Sequence, residues 1–318
     1  PIHIRIKPTN ICNHNCSYCA YRVSELQLGQ DMVIKDSIPY DKMMEIIDDC
    51  KDMGVKAITF SGGGDPFCYK HLLPAVEKLA KTDIKFASLT NGSNLTGKLS
   101  EIFAHHAKWL RISIDGWDDV SYSKYRSIKQ GEFTKVLNNI ERFSGLHGRC
   151  SLGVSIVIDR ENSSHLNGLV KRLKASGVDS VKMAPCIVSN DVTANNSYHK
   201  KIYQQVRDSI HKVITDFADE NFEIYDSYHL LQDKFAKSYD WCPYLQILPV
   251  IGADLNVYSC QDLAYNLDQG VLGEIKTRSF KQFWFEDKAK FYKINPSQSC
   301  NNHCVSNEKN RIILDYLQ

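Results

Sequence analysis

The feature that most constrains the fold is a regular alternation of short apolar runs and amphipathic helical stretches over the first 186 residues. The runs with the length and composition of buried strands are 2–7, 55–60, 84–89, 109–114, 152–158 and 179–184. Helical spacing of apolar residues occurs between them, at 41–53, 71–81, 97–107, 132–143, and from Ser163 or Ser164 to Gly177. Strands that alternate with helices form a parallel sheet with the helices packed outside it. The sequence therefore predicts an α/β fold, a partial (β/α)6 barrel.

In such a barrel the chemistry takes place at the C-terminal ends of the strands. The first strand is followed there by Cys12, Cys16 and Cys19, a C-x3-C-x2-C run. Three thiolates so closely spaced can hold three corners of an iron–sulfur cube and leave its fourth iron without a protein ligand. A zinc ion is the alternative, but it would need a fourth ligand, and His14 lies inside the loop where its geometry would be cramped. The spacing favours a cluster.

Composition narrows the class of protein. The chain has 318 residues, a net charge of +2 and 43% hydrophobic residues, which is ample for one large domain or two. The near-neutral charge argues against a strongly basic nucleic-acid binder. No apolar run is long enough to cross a membrane, and no signal peptide is recognisable, so a soluble cytoplasmic protein is expected. Eleven cysteines, seven of them in two sets, indicate metal ligands rather than disulfides.

Three more strand ends carry residues suited to binding. The second strand ends at Ser61-Gly62-Gly63-Gly64-Asp65-Pro66, where glycines let the backbone approach a ligand closely. The third is followed by Thr90-Asn91-Gly92, and the fourth closes at Ser113-Ile114-Asp115-Gly116, with Arg126 further on. Taken singly, these are also consistent with a plain glycine turn, a turn asparagine and a solvated arginine.

Together these motifs resemble those of the radical S-adenosylmethionine (SAM) superfamily, and the resemblance covers nearly the whole chain. It implies that Cys12, Cys16 and Cys19 ligate a [4Fe-4S] cluster whose open iron is chelated by SAM. Tyr18 occupies the aromatic position that the family places between its second and third cysteines.

The resemblance also assigns the SAM-binding residues. The glycine segment corresponds to the family's Gly-Gly-Glu-Pro motif, which holds the SAM amino group, so Gly62, Gly63 and Gly64 are expected to contact SAM through their backbone. Asp65 replaces the family's Glu with a shorter acid and is also expected to take part in SAM binding. Asn91, Ser113 and Arg126 complete the expected SAM site.

The chemistry follows from that family. A reduced cluster donates one electron to SAM, which breaks into methionine and a 5′-deoxyadenosyl radical, and the radical removes a hydrogen atom from an unactivated C–H bond. A flavodoxin- or ferredoxin-like protein is the expected electron donor.

A second cysteine set lies near the C-terminus. Cys242 and Cys260 flank a predicted hairpin, and Cys300 and Cys304 follow in a C-x3-C run. The arrangement is similar to the twitch form of the SPASM extension in radical SAM enzymes, which implies a second [4Fe-4S] cluster with no open iron. A structural zinc ion with four cysteine ligands is the alternative, because spacing alone does not distinguish the two.

The expected domains are a radical SAM barrel at 1–186, a helical linker at 187–239 and a twitch-like domain at 240–318. Arg160 and Cys186, at the ends of the fifth and sixth strands, are candidate catalytic residues. Cys186 could donate a hydrogen atom to a substrate radical, and Arg160 could bind an anionic or hydroxylated substrate or assist proton loss. A buried inert thiol and an exposed loop arginine are the alternatives.

The single saturated cluster resembles that of the twitch-type alcohol dehydrogenases. The resulting hypothesis is an oxidoreductase that converts an alcohol of a small polyhydroxylated molecule, such as a sugar or aminocyclitol, to a ketone. A peptide-modifying radical SAM enzyme, forming a cross-link or epimerising a residue, is the alternative. A zinc-stabilised binding module without catalysis is the non-enzyme alternative, and it would be colourless rather than brown.

Overall fold

The structure is a computed structural model that describes residues 1–26, 28–230 and 235–317. Its strands form a single ten-stranded sheet. They are β1 His3–Ile6, β2 Ala57–Phe60, β3 Lys85–Thr90, β4 Trp109–Ser113, β5 Ser151–Ile158, β6 Ser180–Pro185, β7 Glu223–Asp226, β8 Val250–Ile251, β9 Asn256–Tyr258 and β10 Val271–Glu274.

Helices follow the strands along the chain. They are α1 Tyr40–Asp52, α2 Leu72–Leu79, α3 Gly97–His106, α4 Asp119–Arg126, α5 Glu132–Ser144, α6 Leu166–Ala175, α7 Val192–Lys200, α8 Tyr203–Phe217, α9 Tyr244–Ile247, α10 Phe280–Phe285, α11 Pro296–Ser299 and α12 Asn307–Leu317. A short 3₁₀ helix, Pro66–Cys68, follows the glycine loop. No helix in this described part of the chain is both long and apolar enough to cross a bilayer.

The sheet order confirms the predicted α/β fold. Strands β1 to β7 lie side by side in sequence order, each parallel to the next. Strand β8 pairs in parallel with the free side of β1, and β9 and β10 extend that edge as antiparallel strands. All six strands expected from the sequence are present. Because the strands are parallel, the loops after β1, β2, β3 and β4 emerge at the same edge.

The core forms between the sheet and the helices. Strand residues such as Ile4, Ile6 and Phe60 are 0% exposed. Helix α1 buries Met43, Ile46, Ile47 and Cys50, a spacing that places all four on one helical face. The same pattern in the other helices that cover the sheet gives one continuous core.

Hydrophobic periodicity did not indicate every helix, and α4 and α7 are two of those that it missed. Helix α4 begins after Asp118, whose carboxylate accepts a hydrogen bond from the Ser121 backbone N–H. Helix α7 begins after Asp191, which caps the N–H groups of Thr193 and Ala194, and lies in the segment expected to be a helical linker. Both helices are polar, so hydrophobic periodicity could not reveal them. Helix α6 starts later than expected, after His165, and has no side-chain cap.

The sheet crosses both expected domain boundaries. Strand β7, from the segment expected to be a helical linker, pairs with β6, and β8, from the C-terminal segment, pairs with β1. The predicted hairpin between Cys242 and Cys260 is present as β8 and β9. The division into 1–186, 187–239 and 240–318 stays a prediction.

Candidate active site

A cavity of about 300 Å³ lies where the loops after β1, β2, β3 and β4 meet. The residues that the sequence singled out and that line it are Cys12, Cys16, Tyr18, Cys19, Gly62, Gly63, Gly64, Asp65, Asn91, Ser113 and Arg126. The three cysteines are free and half-buried. The fold thus gathers around one cavity every residue expected to bind the first cluster or SAM, while their individual roles stay predictions.

The glycine loop is in close contact with the cysteine loop. The backbone N–H of Gly64 donates to the Thr9 carbonyl at 3.0 Å, and that of Asp65 donates to the Ile11 carbonyl at 3.0 Å. A Cβ atom on Gly64 would lie 2.1 Å from the Ile11 carbonyl oxygen, far inside van der Waals contact. Glycine is therefore required at Gly64 for the two loops to meet.

The Asp65 carboxylate acts within the fold. It accepts hydrogen bonds from the N–H groups of Phe67 at 2.8 Å and Asn91 at 2.6 Å, and from the Thr90 hydroxyl at 2.9 Å. Burial raises the pKa of the Asp65 carboxyl, and the hydrogen bonds from Asn91 and Phe67 oppose that rise. Asp65 therefore ties the end of β2 to the end of β3, and its oxygens are already engaged. The expected binding of SAM through the backbone of the glycine loop stays a prediction.

Asn91 is fixed in turn against the cysteine loop. Its side-chain amide donates to the Asn13 side-chain oxygen at 2.8 Å, and its own oxygen accepts from the Ser93 N–H at 2.9 Å. Asn13 lies next to Cys12 in the sequence. The end of β3 thus supports the loop that carries the three thiols.

Arg126 forms a buried ion pair at the wall of the cavity. One of its terminal nitrogens lies 2.7 Å from the carboxylate of Asp115 and donates to the Ser113 carbonyl at 2.8 Å, and the other lies 3.5 Å from the Cys16 sulfur. Both side chains of the pair are almost wholly shielded from solvent. Arg126 thus joins the end of β4 to the cysteine loop.

Asp115 is a site residue that the sequence did not single out. Besides pairing with Arg126, it accepts from the Val157 N–H at 2.7 Å and from the Tyr18 hydroxyl. Asp115 therefore connects β5 and Tyr18 to Arg126. Its place in the Ser113-x-Asp115-Gly116 segment was the available signal, but only the structure shows that it holds three neighbours together.

Two residues of the cavity lining, His14 and Arg126, carry buried polar side-chain atoms. Both ring nitrogens of His14 and the Nε of Arg126 are buried and, within the described ranges, make no hydrogen bond. Leaving such groups unpaired is costly, so the Arg126 Nε–H and the single N–H of a neutral His14 ring suit a sulfide, thiolate or carboxylate acceptor. In the described ranges of the chain, no group of three or more His, Cys, Asp or Glu side chains is arranged to hold a single metal ion. Three thiols with no fourth ligand fit a cluster that keeps one iron open.

The four C-terminal cysteines also share a cavity, of about 30 Å³. Its lining includes Cys242, Cys260, Cys300 and Cys304. Burial raises the pKa of the Cys304 thiol to about 12 and that of Cys300 to about 11. The Asn310 amide donates to the Cys242 sulfur at 3.2 Å. In the described part of the chain, the buried Ser259 hydroxyl of this lining makes no hydrogen bond, so it too suits a sulfur acceptor.

Arg160 and Cys186 lie apart from these linings. The described residues that line either cavity include neither of them. Arg160 donates to the Tyr198 carbonyl at 2.7 Å and 3.0 Å. Cys186 is 8% exposed, and burial raises the pKa of its thiol to about 12. Their catalytic roles stay untested predictions.

Comparison with known proteins agrees with this geometry. A sequence profile of the Radical SAM superfamily matches residues 6–173. An S-adenosylmethionine-dependent nucleotide dehydratase from Lacinutrix mariniflava is 23% identical over 241 residues, 72% of this chain and 48% of that protein. A GTP 3′,8-cyclase from Campylobacter fetus is 29% identical over 159 residues, 49% of this chain and 45% of that protein. The chain thus spans about half the length of these curated relatives.

Solved structures share the fold. SuiB from Streptococcus suis superposes with a TM-score of 0.67 at 15% identity, covering 92% of this chain and 67% of SuiB. The enzyme anSMEcpe, solved with bound AdoMet and a peptide, gives 0.66 at 18% identity over 92% of this chain and 82% of its own. The profile match covers more than half of the chain, including the cysteine loop, the glycine loop and Arg126. This chain belongs to the radical SAM superfamily.

Proposed function

We propose that this chain holds a [4Fe-4S] cluster on Cys12, Cys16 and Cys19 and binds SAM in the rest of the same cavity. The observation that carries the proposal is the convergence of the three-cysteine loop, the glycine loop, Asn91 and Arg126 on one cavity of about 300 Å³. When bound, the cluster and SAM supply a 5′-deoxyadenosyl radical. The chain itself shapes the site through the contacts of Asp65, Asp115 and Asn13 described above.

We infer a second, auxiliary [4Fe-4S] cluster on Cys242, Cys260, Cys300 and Cys304. Four thiolates occupy all four irons, so this site suits electron acceptance better than substrate binding. A dehydrogenation uses that property: a substrate alcohol loses a hydrogen atom to the radical, a proton to solvent and one electron to the auxiliary cluster, and becomes a ketone. A flavodoxin- or ferredoxin-like protein would supply the electron that the first cluster needs.

A small polyhydroxylated molecule is the proposed substrate. A sugar or aminocyclitol suits the proposed dehydrogenation. A nucleotide is a second candidate class, because the relative named a nucleotide dehydratase aligns with 72% of this chain. A peptide remains the alternative, since the shared fold with SuiB and anSMEcpe says nothing about this chain's substrate. The assay panel should therefore contain sugars, aminocyclitols, nucleotides and peptides.

The cluster content can be tested without knowing the substrate. Protein purified and reconstituted under anaerobic conditions should be brown and contain about eight irons and eight sulfides per chain. The double variant Cys300→Ser/Cys304→Ser should retain about four irons. Cys150→Ser is the matched control, because Cys150 is buried and lies outside both cavity linings. A colourless protein with one zinc ion at the four-cysteine site would contradict the auxiliary cluster.

Activity is the second test. Incubation with SAM and dithionite should yield 5′-deoxyadenosine, measured by mass spectrometry, and Cys16→Ser should abolish it. The double variant Cys300→Ser/Cys304→Ser should still form 5′-deoxyadenosine but no ketone. Turnover of every candidate alcohol without a ketone would rule out the dehydrogenase, and a modified peptide would establish the alternative.

A further inference from the structure

A fully buried lysine lies at the junction of the two cysteine sites and belongs to neither set of ligands. Lys7 follows the last residue of β1 and is 0% exposed. Its ammonium donates to the Gly62 carbonyl at 2.5 Å, to the Gln261 side-chain oxygen at 3.0 Å and to the Tyr21 hydroxyl. A lysine ammonium has three N–H donors, and here each has an acceptor.

The acceptors come from the two loops that carry the cysteines and from the glycine loop. Tyr21 lies two residues after Cys19, and Gln261 directly follows Cys260. The Gln261 amide also donates to the Tyr21 hydroxyl, so the loops touch each other as well as Lys7. The Lys7–Tyr21–Gln261 cluster is therefore the contact between the first cysteine site and the second.

Backbone pairing holds Lys7 in that position. The Lys7 N–H donates to the Ile251 carbonyl at 2.8 Å, next to the pairing of β1 with β8. Arg5, on the same strand, donates to the Gln261 side-chain oxygen at 2.8 Å. Two cations thus converge on the residue after Cys260.

A buried cation is costly unless negative groups surround it. Burial and the neighbouring Arg5 cation lower the pKa of Lys7, whereas Asp262, Cys260 and Cys19 act on it in the opposite direction. A [4Fe-4S] cluster gains one negative charge when it is reduced, and net charge near a cluster is one of the factors that set its potential. A cation between two clusters favours the reduced form of each.

We propose that Lys7 is a positioning residue that joins the two cysteine loops and raises the reduction potentials of both clusters. The inference rests on the proposed function, because it requires the auxiliary cluster. It goes beyond that function in assigning one side chain to both redox sites.

The test compares Lys7→Met with the wild-type protein, both reconstituted anaerobically. Iron content is measured first, and the midpoint potentials of the two clusters are then determined by redox titration followed by electron paramagnetic resonance. Lys7→Met should keep about eight irons and show both midpoint potentials shifted to more negative values. Lys7→Arg, which keeps the charge, should return both toward the wild-type values.

The matched control is Lys290→Met. Lys290 is also buried, at 4% exposure, but its ammonium donates to the carbonyls of Trp284, Glu286 and Asp287. Its loss should leave both potentials unchanged. If Lys7→Met does not take up iron, Lys7→Gln, which is neutral but still donates, is titrated instead and should give the same two shifts.

The outcomes separate this inference from the proposed function. If the wild-type protein contains only about four irons per chain, it has no auxiliary cluster. Lys7 then has no shared role, and the proposed auxiliary cluster is wrong. With both clusters present, unchanged potentials in the neutral Lys7 variants, or a shift of one cluster alone, would overturn the inference and leave the proposed function intact. Loss of iron from both sites in both neutral variants, with Lys290→Met fully loaded, would contradict the expected retention of both clusters and overturn the assignment of a redox role to Lys7.

Discussion

At the residue scale, the site depends on backbone contacts that leave no room for a side chain. The hydrogen bonds from Gly64 and Asp65 to the cysteine loop bring the two loops within 3.0 Å. A Cβ atom on Gly64 would meet the backbone of Ile11 and Asn10, which cannot rotate away as a flexible side chain could. The sequence predicted that the backbone of the glycine loop comes close to another group. The structure shows that it lies against the cysteine loop.

Gly64→Ala should therefore destabilise the protein and weaken cluster binding. Overpacking of this kind lowers stability by about 1–3 kcal/mol. Because the added methyl group would clash with the backbone of Ile11 and Asn10, we expect a loss toward the upper end of that range. Gly168→Ala is the matched control, because Gly168 lies in α6 and a Cβ atom there has no neighbour within 4 Å. It should stabilise the protein by about 0.5–1 kcal/mol. Urea denaturation and iron content measure both effects, and equal stabilities of the two variants would refute the argument.

At the scale of elements, α4 positions the buried arginine. Asp118 caps the start of the helix through the Ser121 N–H at 2.7 Å, and Arg126 is its last residue. The helix buries Tyr122 and Tyr125 but has no continuous aliphatic face, so its cap and the packing of these two rings determine where Arg126 lies. The sequence predicted a role for Arg126 but not the helix that carries it.

Asp118→Ala should cost about 1 kcal/mol, the usual effect of losing an N-cap, and should weaken SAM binding because the end of α4 moves. Asp191→Ala is the matched control, since Asp191 caps α7 in the same way and α7 carries no residue of either cavity lining. It should lower stability comparably and leave SAM binding unchanged. Equilibrium binding of SAM and urea denaturation measure the two properties, and equal weakening of SAM binding would contradict the role of α4.

The same cap gives a pH dependence. Hydrogen bonds from Ser121 lower the pKa of the Asp118 carboxyl in the folded protein. A lowered folded-state pKa contributes stability that is present above the unfolded value, about 3.9, and is lost as the pH falls through the folded value. The stability difference between wild type and Asp118→Ala should therefore shrink as the pH falls below about 4. Denaturation curves at pH 3 and pH 6 would show it, and a difference that grows at the lower pH would contradict it.

At the scale of the whole molecule, one sheet connects the segments expected to be separate domains. β8 lies beside β1, and the backbone N–H groups of Ile2, Arg5 and Lys7 donate to carbonyls of the C-terminal segment at 2.8–3.2 Å. Removing that segment would uncover an edge of the central sheet. The C-terminal segment that lines the second cavity thus continues the sheet whose strand ends line the first.

We therefore expect the N-terminal and C-terminal halves of the cluster-free protein to unfold together, in a single transition. Trp109 and Trp117 report on the first half, and Trp241 and Trp284 on the second. Two variants, one with both early tryptophans and one with both late tryptophans replaced by phenylalanine, should show fluorescence midpoints that coincide with far-UV circular dichroism. Separate midpoints would instead support an independently folding domain from about residue 240.

Much of the site was predictable because local patterns report local structure. Six strands, the cysteine motif and the glycine loop were recognisable, and parallel order alone brings their ends to one edge. The polar helices α4 and α7 and the edge strand β7 were not, because nothing in their hydrophobic pattern distinguishes them from loops.

The sequence by itself thus determined the family, the parallel sheet and the residues around the first cavity, since each depends on spacing within a short segment. Only the tertiary structure decided that Asp115 pairs with Arg126, that β8 lies against β1, and that Lys7 contacts both Tyr21 and Gln261. These contacts join residues up to 254 positions apart. They depend on how the chain closes in space, and no local pattern encodes that closure.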